Sequence, residues 1–216
     1  MLKFIETDEN KNPINYHKRA VLLNKNIVVI DFDNDNINED KIIEYIDTHF
    51  PTQKVFTDRG VHFYYSRPTN IDKIKSTTDT ITVGGFQVDY KSGNQLVLVK
   101  RYGKARKTNR PFSFDNLAEL PHLLYPLTKR QDNLSGMENG DGRNDTLFRH
   151  LCSVQSTYED IDIANIAEII NSVVFAESFE NHNELLSVIK SVKSYYNPNE
   201  YHGNRNNMIT FAQWII

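Results

Sequence analysis

Asn26-Ile27-Val28-Val29-Ile30-Asp31-Phe32-Asp33 sets four β-branched residues in a row and then two carboxylates separated by one phenylalanine. The run has the length and composition of a strand. Side chains alternate along a strand, so Asp31 and Asp33 point to one side and Phe32 to the other. Two carboxylates held in parallel at a strand end are costly unless something positive sits between them. A divalent cation is the usual solution, and carboxylate oxygens are the ligands Mg²⁺ prefers. The same residues also read as a solvated acidic turn, because Asp33-Asn34-Asp35-Asn36 is good turn chemistry.

Working outward, a helix is expected from about Asn38 to Phe50, where Ile42, Ile46 and Phe50 recur at i, i+4 and i+8 and Pro51 stops it. Lys54 to Ser66 reads as a second strand region, interrupted at Asp58-Arg59-Gly60. Thr80 to Tyr90 and Gln95 to Arg101 read as two strands joined as a hairpin at Lys91-Ser92-Gly93-Asn94. A short helical stretch is expected near Asn116 to Tyr125. Gln131 to Gly142 has no periodicity and three glycines, and reads as a linker. The pattern then becomes helical. Leu147, Leu151 and Val154 share one face; Ile166, Ile170 and Val173 share a second. Leu185, Ile189, Val192 and Tyr196 share a third. The expected organisation is α+β: a module over 1–130, a linker over 131–142 and a small all-α bundle over 143–216.

Other residues extend the acidic pair into a candidate site. Asp89 lies between Val88 and Tyr90 at a strand end, although Asp is depleted in strands; an edge facing water is the plain alternative. With Asp31 and Asp33 it makes a set able to hold two cations, which can clamp the attacking and leaving oxygens of a phosphoryl displacement. In Arg59-Gly60-Val61-His62-Phe63-Tyr64, His62 and Tyr64 alternate onto one face. His62 there can hydrogen-bond a phosphate with Arg59 beside it, or serve as a satisfied structural histidine. Lys91, two residues after Asp89, can reach a triphosphate. Lys100, Arg101, Lys104, Arg106, Lys107 and Arg110 put six cations in eleven residues, with Tyr102 among them and Phe112 just after. Such a run is either a solvated loop or a track for a nucleic-acid backbone, with aromatics for stacking.

The whole chain of 216 residues has a net charge of −3, which taken alone argues against a nucleic-acid partner. Residues 1–130, however, carry 20 basic against 16 acidic side chains, a balance of +4, and residues 131–216 carry 5 against 12, a balance of −7. The split assigns different work to the two parts. Cys152 is the single cysteine, which excludes an intramolecular disulfide and a multi-cysteine zinc cage. No apolar run approaches the roughly 18–20 residues of a membrane span. The first residues turn acidic too early for a secretory signal. A cytoplasmic protein without a membrane partner is expected.

Taken in order, Val28-Val29-Ile30-Asp31-Phe32-Asp33, Gly60-Val61-His62-Phe63-Tyr64 and Val88-Asp89 resemble the three signatures of the archaeo-eukaryotic primase superfamily. The likeness is to its primase-polymerase (prim-pol) branch, found in phage, plasmid and mobile-element replication proteins. It covers about residues 20–130. Gly142-Arg143-Asn144-Asp145-Thr146-Leu147-Phe148-Arg149 resembles the start of the small helical domain that often follows that module; it also reads as a helix N-terminus capped by Asn144 or Asp145. The resemblance implies an RRM-like sheet and metal-dependent nucleotidyl transfer from NTPs or dNTPs on a single-stranded DNA template. Asp31, Asp33 and Asp89 would ligate two Mg²⁺ or Mn²⁺ ions, with no zinc, and His62 would contact the incoming nucleotide's phosphates. Arg59 and Lys91 join the nucleotide site by charge and position. Many such proteins continue into a helicase, here either in a longer chain or on a separate protein, and the acidic helical part suits a protein contact of that kind. Two other readings compete with a DNA primase. One is a catalytically idle replication accessory that binds DNA and a helicase. The other is a haloacid-dehalogenase-type phosphatase, which also opens on hydrophobics and Asp-x-Asp but wants an alternating α/β frame.

Overall fold

The structure is a computed structural model that describes residues 3–5, 20–33, 37–69, 71, 74–101, 104–127 and 131–196. The acidic-tipped run is strand β3 (Ile27–Asp33), and six of its seven residues are buried. A strand buried on both faces needs cover above and below, and the two faces are covered differently. Val28, Ile30 and Phe32 belong to one apolar cluster, whereas Ile27 and Val29 belong to a second.

Chain order up to this strand gives β1 (Lys3–Ile5) and β2 (Ala20–Leu22); after it come α1 (Ile37–His49), β4 (Gln53–Phe56) and β5 (Gly60–Ser66). Then follow β6 (Thr77–Ile81), β7 (Gln87–Ser92), β8 (Leu96–Leu98), β9 (Lys100–Arg101) and β10 (Lys104–Ala105). The main sheet has five strands in the order β4-β5-β3-β7-β6, and every neighbouring pair is antiparallel. Strands β3 and β4 both run antiparallel to β5 and therefore parallel to each other, with α1 making the crossover between them. That helix matches its expected span to within a residue, buries Ile42 and Ile46, and ends at His49, with the next amide, Phe50 N, still donating to Ile46 O.

The smaller sheet, β1-β2-β8, closes the other face. Val21, Leu23 and Val97 from this side meet Val29, Val55 and Tyr64 of the main sheet, with Phe112, Phe114 and Leu117 packed at the edge. The pairing of β8 with β2 corrects the expected hairpin at Lys91–Asn94. Strand β7 instead makes its hairpin with β6 through Val83–Phe86, and residues 93–95 carry the chain from one sheet to the other. The helix expected near Asn116 to Tyr125 is only a 3₁₀ turn, His122–Leu124. Its apolar residues edge the main sheet rather than winding: Val83 N donates to Tyr125 O and Leu127 N to Ile81 O.

The second half forms α2 (Arg143–Thr157), α3 (Ile163–Ile169), continued by a π-helical turn over Ile170–Val174, and α4 (His182–Tyr196). Of the three expected apolar faces, Leu147, Leu151, Val154, Ile166, Ile170, Leu185, Ile189 and Val192 are buried, whereas Val173 is only partly buried and the π-helical turn buries Val174 instead. Tyr196 is partly exposed, its hydroxyl donating to Cys152 O. These helices lie in the same apolar cluster as Val28, Ile30 and Phe32. The stretch read as a linker is part of the packing: Leu134 is fully buried and its amide donates to Gly85 O. Gly85, at φ +81°, could not carry a side chain, since a Cβ would stand 2.6 Å from Leu134 Cδ1. Helix α2 starts after Gly142 without a side-chain cap; Asp145 instead pairs with Arg149. Arg143 is buried, its guanidinium over the Phe179 ring and donating to Glu177 O. Asn197 to Ile216, with the last apolar segment of the sequence, lie outside the described residues.

His150 on α2 locks this helical layer to the β6–β7 turn, its Nε2 2.8 Å from Val83 O. Burial lowers its pKa from 6.5 to about 4, and the Val83 bond only partly opposes that. The unfolded chain therefore takes up a proton below about pH 6.5 that the folded chain refuses until about pH 4. Stability is complete above that window and falls as pH drops through it, by about 3 kcal/mol in all. Urea unfolding at pH 7 and pH 4.5 should show this loss, and His150→Gln should flatten it; an unchanged pH slope in the variant would refute the assignment.

Candidate functional site

Cross-strand register brings the three acidic and histidine motifs together. Asp31 lies opposite His62 in the β3–β5 pairing and opposite Asp89 in the β3–β7 pairing. Residues directly opposite in antiparallel strands project from the same face. Asp31, His62 and Asp89 therefore form one row across three adjacent strands, and Asp33 follows on the same face two residues on. The row opens into a cleft of about 590 Å³, whose walls also include Arg59, Thr77, Lys91, Gln95 and Arg106. The floor is the main sheet; β8 of the smaller sheet supplies part of one wall.

Asp31 is the electrostatic centre. Its side chain is only 10% exposed and forms an ion pair with Lys91 Nζ through Oδ2, while His62 Nε2 stands 3.0 Å from Oδ1. Burial by itself raises the carboxyl's pKa, but His62 and Lys91 override it and hold the group down at about 2. For His62 the balance falls the other way. Burial lowers its pKa, Asp31 pulls it up, and the positive charges of Lys91 and Arg106 push it down again, for a net lowering. The imidazole is thus neutral at pH 7, and Lys91 is the full positive charge that meets Asp31. Asp31 Oδ1 and His62 Nδ1 are both buried without an aligned hydrogen-bond partner, although His62 Nε2 stands close enough to Oδ1 to favour the carboxylate.

The flanking residues are held in their own ways. Asp33 is half-exposed, with Arg59 Nη2 3.4 Å from its Oδ1 across the β3–β5 pair. Asp89 Oδ1 accepts from the amide of Asp79, which sits at φ +52° where the β6–β7 register shifts. Gln87 Nε2 in turn donates to Asp79 Oδ1 at 2.7 Å. Arg106 lines the cleft rather than the outer track expected for it, its Nη1 donating to Leu98 O. Lys104, Lys107 and Arg110 are exposed beside the sheet edge, where Phe56 N donates to Lys107 O and Val55 bridges Thr108. Lys100 and Arg101 form β9, paired with β10. Tyr102 lies outside the described residues, and Phe112 packs on Tyr64 and Phe114 instead of offering a free ring.

The donor chemistry fits a hard divalent cation, with three carboxylates on one face and a buried Asp31 Oδ1 lacking an aligned partner. Asp31, Asp33 and Asp89 would hold it. As they stand they are not drawn together: among the described residues no three His, Cys, Asp or Glu side chains form an ion-binding group. Among the same residues no helix is long and apolar enough to cross a membrane.

Sequence reasoning missed two features. Lys91 contacts a carboxylate rather than facing an open triphosphate space, and Asp79 supports Asp89 from a neighbouring strand. The signal for Lys91 was present: it follows Asp89 by two residues and so shares its face. The bulge at Asp79 has no sequence signature beyond an Asp in a Thr-rich strand. Compared with family models, curated proteins and solved structures, the chain matches none.

Removing one member of a buried ion pair strands the other, at a cost of about 3–5 kcal/mol. Lys91→Met should lose stability on that scale in denaturant unfolding. The double variant Asp31→Asn/Lys91→Met should lose clearly less than the two single losses added together. Additive losses would mean that the pair is not coupled.

Proposed function

We propose that the chain is a DNA primase or primase-polymerase, performing metal-dependent, template-directed nucleotidyl transfer in the DNA replication of a phage, plasmid or mobile element. The observation that carries this reading is the register: Asp31 stands between His62 and Asp89 on adjacent strands, so three motifs separated in sequence line one cleft. An RRM-like sheet is part of the same proposal, and the order β4-β5-β3-β7, with α1 crossing between β3 and β4, supports it.

The site residues have distinct tasks in this reaction. Asp31, Asp33 and Asp89 hold Mg²⁺ or Mn²⁺, which when bound would lower the pKa of the attacking 3′-hydroxyl and neutralise the departing pyrophosphate. His62, neutral and fixed in the central sheet, contacts a phosphate of the incoming NTP or dNTP. Arg59 at the rim and Arg106 on the wall bring positive charge to the same triphosphate. Lys104, Lys107 and Arg110 lie exposed along the sheet edge, where they can follow the phosphates of a single-stranded template. The helical part carries the acidic excess and is the surface offered to a helicase.

One observation favours a second reading, a DNA-binding accessory with an idle polymerase site. Asp31 is already neutralised by Lys91, so the acidic row carries less free charge than its composition suggests. A phosphatase of the haloacid-dehalogenase type lacks support, because the main sheet is antiparallel throughout and has no alternating α/β frame.

Labelled-nucleotide incorporation on a single-stranded template, with Mg²⁺ or Mn²⁺ and with each nucleotide set, separates the two. Wild type should incorporate, and Asp31→Ala and Asp89→Ala should fall to background while keeping a cooperative melt. DNA binding without incorporation in wild type would favour the accessory. Lys104→Glu/Lys107→Glu should weaken binding under either reading and flatten the log–log salt slope by about 1 for each phosphate no longer neutralised; an unchanged slope would remove the sheet edge from the interface.

A further inference from the structure

The acidic row presents a contradiction that its own residues resolve. Three carboxylates share one face, yet they are not gathered around a common point, and the most buried of them is already paired. The partner is Lys91, which sits on β7 opposite Val29, two residue pairs along from the Asp31–Asp89 position. A lysine stem spans that diagonal while covering Val29, and its ammonium arrives at Asp31 Oδ2.

Resting on the metal-site reading above, we infer that Lys91 is the resident cation of the site: its ammonium occupies Asp31 when no divalent ion is bound and withdraws when one enters, so lysine and metal exclude each other there.

Three observations carry this. First, Asp31 lies in the middle of a sheet with a side chain only 10% exposed, so its charge requires a counter-charge at all times. Second, a dication on the remaining oxygen, Oδ1, would stand within one carboxylate's width of the ammonium. Like charges at that separation in a largely buried site repel strongly, so both cannot stay. Third, only one of the two nitrogens at Asp31 can leave. His62 carries a rigid ring held within β5, whereas Lys91, 13% exposed and also lining the cleft, reaches Asp31 on a flexible four-carbon stem. Release of Lys91 frees Asp31 to turn toward Asp33 and Asp89. It also puts a positive charge into the cleft, where the triphosphate would lie.

The test uses the full chain with Mn²⁺ alone, without nucleotide or DNA. In wild type, acetylation of Lys91 by a lysine-reactive ester, followed by mass spectrometry, should rise several-fold as Mn²⁺ is added, while that of exposed Lys104 stays constant. Lys91→Met should bind Mn²⁺ at least ten-fold more tightly than wild type, read from the electron paramagnetic resonance signal of free Mn²⁺. Its melting temperature should be lower than wild type without metal and gain more on adding it. Lys91→Arg should resemble wild type, and adding Asp31→Asn to Lys91→Met should abolish the gain in affinity. Unchanged Lys91 acetylation at saturating Mn²⁺, or no tightening in Lys91→Met, overturns the inference. Should Lys91→Met fail to fold, the acetylation measurement on the wild-type chain decides alone. Incorporation of nucleotides with Lys91 still shielded would defeat this inference and leave the nucleotidyl-transfer reading intact. Metal-driven release of Lys91 without incorporation would do the reverse. Absence of Mn²⁺ binding in every variant overturns both the inference and the metal site on which it rests.

Discussion

Six consecutive residues of the central strand β3 are buried, and most of the architecture follows from the need to cover both of its faces. Alternation sends Val28, Ile30 and Phe32 to the helical layer and Ile27 and Val29 to the smaller sheet. Helix α1 alone is too narrow to cover a five-stranded sheet, and the helices of the second half extend the cover. This explains why the apolar cluster runs without a break from β3 through Leu134 to Val192. A helical segment of that size has a modest core of its own and gains most by sharing another.

The same burial sets the electrostatics of the site. Asp31 is the fifth residue of the buried run, so its carboxylate cannot rely on water and must be met by protein charge. Strand β5 contributes His62 on one side and β7 contributes Lys91 from the other. Toward the end of β3 the sheet opens to solvent, and Asp33 pairs only loosely with Arg59. The cleft therefore grades from a tightly compensated interior to a rim where charges are exposed and exchangeable. Such a gradient suits a site that takes up and releases ions and phosphates, because the inner carboxylate keeps its position while the outer groups adapt.

Elements dictated by local chemistry were legible in the sequence. The β-branched run, the helix with its i, i+4, i+8 stripe, and the break at Asp58-Arg59-Gly60 all occur where their residues put them, as do the three apolar faces of α2 to α4. The errors share a cause. Lys91-Ser92-Gly93-Asn94 has good turn composition, but a turn signal does not say which strand the chain joins next, and β8 pairs with β2. Leu120 and Leu123 have helical spacing, yet their backbone groups bond elsewhere: Leu120 N donates to Ser66 O at the end of β5, and Leu123 O accepts from Gly84 N in the β6–β7 turn. A related limit of local pattern concerns the glycine-rich stretch from 131 to 142, where Leu134 is the one buried apolar residue among polar ones. Its value lies in a long-range contact with Gly85 that no local pattern reveals.

The sequence by itself determined which residues could form the candidate site: acids at strand ends, a histidine between apolar neighbours, and cations clustered near residue 100. Alternation even settled which of them share a face, since it depends only on the backbone's two-residue repeat. What the tertiary structure decided was who stands opposite whom. Register between strands is set by packing over tens of residues, and it alone put Asp31 between His62 and Asp89. It also gave Lys91 a carboxylate to neutralise and moved Arg106 from an outer track into the cleft. Local spacing can nominate charged groups, but their pKa values and partners depend on burial and distance, and both arise only when the strands come together.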